Sequence, residues 1–193
     1  EGFMGMFFIT LLLLSGAGYD TATLPELTEA VTKAHTTYNL ERAEELLQPL
    51  AIRMNTTAGD DEQKLRWLLA KDALLTASLL RNKYEKPDTD NVLKRELGKG
   101  IDDAASIGFT ALGGLPETSE KYRIKADLYM MMMRTNYKGK KFEDAMETAT
   151  AKAIELDPEN PEALLTKSRR KLFAEKRYGG DFEEGLELVN RAL

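Results

Sequence analysis

Apolar side chains recur along most of this chain at three- and four-residue steps, the spacing that places them on one face of an α-helix. Four such stripes are clear. The first is Leu40, Ala43, Leu46, Leu47 and Leu50, and the second, which includes the polar residues Asp72 and Thr76, is Leu65, Leu68, Leu69, Asp72, Ala73, Thr76, Leu79 and Leu80. The third is Phe142, Ala145, Met146, Ala149, Ala153 and Ile154, and the fourth is Phe182, Gly185, Leu186, Val189 and Leu193. The apolar-polar alternation of a β-strand is almost missing after Asp20. The pattern therefore predicts an all-α fold.

Proline, glycine and short polar residues divide this pattern into about eight helices. Pro25 and Pro161 stand near helix starts, where the missing amide hydrogen has no partner to lose, and Pro49 is expected to kink the second helix. We predict helices over residues 25–37, 39–54, 60–83, 89–111, 118–136, 140–156, 160–175 and 181–193. Candidate N-caps, whose short side-chain oxygens could accept first-turn amide hydrogens, are Asp60, Asp61, Asp88, Ser119 and Asp181.

The predicted helices form four antiparallel pairs, and their sequence pattern repeats. Phe142-Glu-Asp-Ala145 leads to Ala153-Ile-Glu-Leu-Asp157-Pro158, and Phe182-Glu-Glu-Gly185 begins a second copy. Leu40-Glu-Arg-Ala43 fits the same template. A helix pair that cannot bury its apolar face alone stacks on the next pair. The repeat therefore predicts an α-α superhelix, a solenoid, that spans residues 20–193 as one domain.

These motifs resemble the tetratricopeptide (TPR) family, which places a small residue three positions after an aromatic one and closes the second helix with Asp-Pro. The matching residues are Phe142, Ala145, Ala153, Asp157 and Pro158, and then Phe182, Gly185, Val189 and Ala192. One extra residue separates Ala145 from Ala153, and the loop up to Asp181 is longer than the family's turn. The run Asp157-Pro-Glu-Asn-Pro-Glu-Ala163, followed by the loop Tyr178-Gly-Gly-Asp181, resembles exported bacterial TPR-like proteins, and the TPR component associated with TRAP-type transporters has comparable Gly-Gly-Asp loops. The resemblance implies a non-catalytic scaffold that binds a partner protein or peptide.

The N-terminal segment, residues 1–17, has a different character from the rest. It is apolar from Gly2 to Leu14 and ends in Ser15-Gly16-Ala17, which predicts an export signal cleaved after Ala17, although no Lys or Arg precedes the run. A membrane anchor is one alternative, since the uncharged stretch would span roughly 27 Å of a ~30 Å hydrocarbon core. A buried N-terminal helix is the other. Export would place the protein in the periplasm of a Gram-negative bacterium, with membrane contact only through this segment if it stays uncleaved.

Composition removes several classes of function. Lys and Arg number 27 against 32 Asp and Glu, a net charge of −5, which disfavours nucleic-acid binding. Cysteine is absent and His35 is the single histidine, so thiolate chemistry, cysteine zinc sites and histidine clusters are excluded. No Gly-x-Ser-x-Gly or phosphate-loop motif is present. We therefore expect no enzymatic activity, cofactor or metal, and interpret His35 as a helix-end residue near backbone carbonyls.

Two features supply candidate binding residues. Tyr129-Met130-Met131-Met132-Met133 covers about 300° of a helix, which predicts a helix packed on several sides with one or two methionines facing a concave groove. A basic cluster lies around Arg169, and it is either a solvated face or a carboxylate site. The family pattern implies an inner face there that includes Leu165 and Phe173. The predicted partner-binding groove consists of Tyr129, Met130, Arg134, Leu165, Arg169 and Phe173.

A second function remains open, a periplasmic accessory component of a transport or envelope complex that binds a small ligand. The two alternatives predict different surfaces. A scaffold requires an open groove lined by the first helix of each pair, whereas a ligand-binding component requires a closed pocket with convergent polar groups. An enzyme would require buried titratable residues with shifted pKa values in a cleft.

Overall fold

The fold, taken from a computed structural model, is described for residues 19, 21–176 and 179–193, and these contain α-helices and no β-strand. The helices are α1 (Leu24–Thr37), α2 (Leu40–Thr56), α3 (Asp60–Tyr84), α4 (Asn91–Gly113), α5 (Ser119–Met132), α6 (Asn136–Leu156), α7 (Pro161–Phe173) and α8 (Phe182–Ala192). The predicted all-α class is confirmed, and the predicted bounds agree with these helices to within a few residues.

The first turns of the helices confirm some of the predicted proline and N-cap positions and contradict others. Pro25 and Pro161 lie in the first turns of α1 and α7, and Asp181 caps α8 by accepting a hydrogen bond from the amide of Glu184. The other predicted N-caps are wrong, because the caps of α3, α4 and α5 are, in that order, Gly59, Asp90 and Thr118. Asp60 and Asp61 lie inside the first turn of α3, where their charge still favours the helix dipole.

Consecutive helices pack as neighbours, most extensively within the pairs α3/α4, α5/α6 and α7/α8. The second helix of one pair also contacts the first helix of the next, and α2 packs more extensively on α3 than on α1. The odd-numbered helices form a continuous row, since α1 contacts α3, α3 contacts α5 and α5 contacts α7. This arrangement is that of an all-α helical-repeat superhelix.

Small residues allow the helices of neighbouring pairs to approach closely. Gly108 of α4 is buried, and a Cβ atom there would lie 2.7 Å from Leu128 Cδ1 of α5 and 3.3 Å from Ala73 Cβ of α3. No side chain larger than hydrogen fits at this position without displacing buried Leu128. Gly98 and Gly100 do not interrupt α4, because tertiary packing on α3 and α5 outweighs the low helix propensity of glycine.

The predicted export signal or anchor, residues 1–17, lies outside the described residues, as do Arg177 and Tyr178 of the predicted loop before α8. Within the part of the chain that is described, none of the helices has both the length and the apolar character that a bilayer-spanning segment needs.

Candidate binding surface

The six residues of the predicted groove lie on α5, on α7 and, for Arg134, in the connection between α5 and α6. On α5, the ring of Tyr129 lies between Phe109 and Phe142, with centroid distances of 4.7 Å and 5.9 Å. Tyr129 also lines a shallow, open groove of about 400 Å³ between α5 and α6, together with Tyr122 and Lys125. Tyr129 is half-buried there, so part of its side chain is accessible from the groove.

The methionine run confirms the prediction of a helix packed on several sides. Met131 packs against the cluster that α3 and α4 form around Ile101, and Met132 packs against the large core of the first five helices. Met130 and Met133 pack against a third cluster between α5 and α6. All four methionines are half-buried, so their principal role is to join three separate clusters at the C-terminal end of α5.

Arg134 is placed inside the fold. Its side chain is 6% exposed, and its guanidinium donates two hydrogen bonds to Asp102 of α4, at 2.8 Å and 2.9 Å. It also lies 5.9 Å from the ring centroid of Tyr84, and Lys138 binds the same carboxylate. Arg134 therefore joins α4 to the connection between α5 and α6, and its side chain presents little surface to a partner.

On α7 the predicted residues form one face, since Leu165, Arg169 and Phe173 follow one another at four-residue steps. Leu165 is half-buried, Arg169 is exposed, and Phe173 is 84% exposed. Among the described residues, no hydrogen bond, ion pair or ring contact joins these three side chains to Tyr129, Met130 or Arg134. The three α7 residues thus share one face of their helix, and whether they form one groove with Tyr129, Met130 and Arg134 stays a prediction.

The basic cluster of α7 is mostly neutralised by neighbouring helices. Lys167 and Lys171 both form ion pairs with Glu184 of α8, at 3.1 Å and 2.6 Å. Arg170 forms ion pairs with Glu143 and Glu147 of α6. Arg169 has no ion-pair partner within the described ranges, so it is the guanidinium of this cluster that is free to bind an anionic group from outside.

A buried polar link between α5 and α7 was missed by the sequence analysis. Arg123 donates to Asp127 at 3.0 Å, and Thr166 of α7 donates to the other oxygen of Asp127 at 2.9 Å. Burial raises the pKa of Asp127, and the charges and hydrogen bonds of Arg123, Thr166 and Arg169 oppose that rise. The signal in the sequence was an acidic residue between Ile124 and Leu128, inside an apolar stripe and four residues after an arginine.

His35 and Asp72 lie along the same row of odd-numbered helices. Burial, followed by the charges of Lys71 and Arg123, lowers the pKa of His35, which lies half-buried in the last turn of α1. Asp72 of α3 is completely buried, no described group donates a hydrogen bond to its carboxyl oxygens, and burial raises its pKa well above the usual range. Neither residue lines the α5/α6 groove or a second open groove at the N-terminal end of α3.

Residues 19, 21–176 and 179–193 contain no group of three or more side chains arranged to hold a metal ion. Comparison of the chain with protein-family models, curated proteins and solved structures found no match. The function therefore has to be inferred from these side chains and their surroundings.

Proposed function

We propose that this protein is a non-catalytic, TPR-like scaffold that binds a partner protein or peptide on the face of its odd-numbered helices. The observation that carries the proposal is that Arg169, exposed and without an ion pair among the described residues, lies one turn before the exposed ring of Phe173 on α7. Arginine and aromatic residues are enriched among the side chains that dominate binding energy at protein interfaces.

The chemistry of the α7 face defines the partner. A guanidinium offers two parallel donors to a carboxylate, and that geometry is bidentate and directional. Leu165 and Phe173, one turn to either side of Arg169, offer apolar contact. A partner that fits presents an acidic side chain or a chain-terminal carboxylate next to an apolar residue.

The shape of the surface favours a macromolecular partner over a small ligand. A small-molecule site encloses most of its ligand, whereas the grooves at α5/α6 and at the start of α3 are shallow and open to solvent. The buried carboxyl groups of Asp72 and Asp127 line neither groove, so they offer no support for an acid–base site in a cleft.

Reversing the charge of Arg169 is expected to weaken capture of the partner by at least about 30-fold, the scale of a central interface residue. Wild-type protein, Arg169→Glu and Arg95→Glu would be used as baits in the native host and the captured proteins quantified by mass spectrometry. Arg95 is an exposed arginine of α4 with no ion pair among the described residues, so it is the matched control. Equal capture by all three baits, with unchanged far-UV circular dichroism, would remove Arg169 from the binding surface.

We also propose that the scaffold works in the cell envelope, after export directed by residues 1–17. The apolar run and the small residues before Gly18 support this location. N-terminal sequencing of the protein from the periplasmic fraction should begin near Gly18. A mature protein that retains Gly2 would contradict cleavage and would favour the anchored alternative.

A further inference from the structure

The open groove between α5 and α6 is lined by two tyrosines at a regular spacing. Tyr122 and Tyr129 are seven residues apart on α5, which is almost two full turns, so they lie on one face about 10.5 Å apart along the helix axis. Ala145 and Ala149, one turn apart on α6, also line the groove, and their small side chains leave room beside the rings. The groove therefore presents two aromatic side chains at a fixed interval next to a surface of small residues.

Both tyrosine rings are held in place by contacts within the protein. Tyr129 stacks against Phe142 of α6, with the ring centroids 5.9 Å apart. The hydroxyl of Tyr122 donates a hydrogen bond to Glu117, and Lys125 Nζ lies 5.8 Å from the centroid of the same ring. Side chains that are already ordered lose little conformational freedom when a ligand binds. The two rings are thus prepared for a ligand whose own contacts repeat at their spacing.

The spacing of the tyrosines matches one turn of a polyproline II helix. That helix has three residues per turn and a rise of about 3.1 Å per residue, so side chains three positions apart lie on one face about 9.3 Å from each other. Its backbone carbonyls have no internal hydrogen bonds, whereas those of an α-helical ligand are already bonded. The Tyr129 hydroxyl donates to no described residue, so it is available for such a carbonyl. An aromatic groove of this kind suits proline-rich segments.

The two sides of the groove carry opposite charges. Lys125 lines it from α5 and Asp144 lines it from α6, and neither forms an ion pair with another described residue. In a polyproline II helix the two residues between prolines three apart project to opposite sides, because successive side chains are about 120° apart around its axis. One of them faces α5 and the other faces α6. Charge complementarity therefore selects a ligand with one acidic and one basic residue at these two positions.

We propose that the α5/α6 groove binds a proline-rich segment of a partner protein in the polyproline II conformation, with prolines three residues apart against Tyr122 and Tyr129. Of the two residues between these prolines, the acidic one pairs with Lys125 and the basic one with Asp144. The site goes beyond the proposed function, since it does not use the face of α7. Both of its helices lie inside the described chain, with α4 before them and α7 after them.

A synthetic peptide made of three Pro-Glu-Arg repeats and a final proline is the probe. It has blocked ends and a fluorescent label, and its glutamates and arginines balance, so attraction by net charge is small. Titration with the full chain, followed by fluorescence anisotropy, should give saturable binding. A matched peptide with alanine at every proline has the same charges and should bind at least about tenfold more weakly. Tyr122→Ala should weaken binding of the proline peptide by a similar factor.

Exchanging the charges of the groove tests the orientation of the peptide. Lys125→Glu alone and Asp144→Lys alone should each weaken binding by about threefold to fivefold, the scale of an exposed ion pair. The double variant Lys125→Glu/Asp144→Lys should recover most of the affinity. A polyproline II helix that binds with its chain direction reversed exchanges its two sides, so the same peptide then matches the exchanged charges.

Two further variants separate this groove from other surfaces. Thr148 is an exposed residue of α6 that lines the groove, so Thr148→Trp should fill it and block the peptide. Thr32 is an exposed threonine of α1, and Thr32→Trp should leave the affinity unchanged. Arg169→Glu should also leave it unchanged, so this site and the proposed function can fail separately. Circular dichroism checks the fold of each variant.

Three outcomes would overturn the proposal. The first is the absence of saturable binding up to the solubility limit of the proline peptide. The second is equal binding of the alanine peptide, which would make a helical or merely charged ligand the occupant. The third is binding that neither Tyr122→Ala nor Thr148→Trp weakens, which would place the peptide on another surface.

Discussion

Replacing Asp102 by alanine is expected to lower the free energy of unfolding by about 3 kcal/mol at neutral pH, because it leaves the Arg134 guanidinium inside the fold without its counter-charge. Arg134 is 6% exposed and both of its terminal nitrogens bind Asp102, at 2.8 Å and 2.9 Å. This loss of stability lies at the low end of the range for a broken buried ion pair, because the Asp102 side chain is 33% exposed. Urea denaturation followed by circular dichroism measures the loss.

The neighbouring Asp103 is a matched control. It is exposed on the same helix and has no ion pair among the described residues, so Asp103→Ala should change the stability by less than about 0.5 kcal/mol. Asp102→Leu combined with Arg134→Met should recover most of the lost stability, since it removes both charges together. Similar denaturation midpoints for Asp102→Ala and Asp103→Ala would show that the pair does not hold α4 in place.

The contribution of Asp102 to the free energy of unfolding also depends on pH in a defined direction. Burial raises the pKa of Asp102, but the hydrogen bonds and charges of Arg134 and Lys138 outweigh burial, so the pKa lies below its ordinary value of 3.8. A lowered pKa means that the stabilisation is present above the pKa of the unfolded chain and is lost as the pH falls through the folded value. The difference between wild type and Asp102→Ala should therefore shrink in acid.

The helices could be located from the sequence because their signals are local. Apolar spacing, Pro25, Pro161 and the Asp181 cap each act within one or two turns of the chain, and each appears at the predicted place. The largest errors, of four residues each, are the end of α5, predicted at residue 136 and found at Met132, and the start of α6, predicted at residue 140 and found at Asn136. Arg81 of α3 donates hydrogen bonds to the carbonyls of Met130 and Met131, and this distant cap ends the helix.

The candidate site could be predicted from the sequence only for residues whose role follows from their position on an exposed helix face. The four-residue spacing of Leu165, Arg169 and Phe173 placed them on one face of α7, and the structure agrees. Arg134 looked equally suitable in the sequence, but Asp102, far away along the chain, draws it into the fold. An ion pair between residues far apart along the chain produces no periodic pattern in the sequence. A basic residue that binds a partner and a basic residue that stabilises the fold therefore look alike until the helix packing is known.

Replacing Asp72 by valine, an apolar residue of similar size, is expected to raise the free energy of unfolding by about 2 kcal/mol at neutral pH. Asp72 is completely buried, and neither carboxyl oxygen accepts a hydrogen bond from a described group. Thr76, one turn later on α3, is also buried, and its hydroxyl has no hydrogen-bond partner among the described residues. An unsatisfied buried polar group costs about 1–3 kcal/mol, and valine removes that cost from the core. Asp103→Val, on an exposed face, should give no gain.

The pH dependence of the same variant tests the physical cause, because it has the opposite sign to that of Asp102. Burial raises the pKa of Asp72 well above 3.8. As the pH rises from the ordinary pKa toward the raised one, the unfolded chain releases its proton before the folded chain does, and the wild type loses stability across that window. Asp72→Asn cannot ionise and should lack this loss, and the advantage of Asp72→Val should grow from acid to neutral pH. Parallel pH profiles for wild type and Asp72→Asn would mean that Asp72 finds a proton donor or a cation inside the fold and that its burial is not the source of instability.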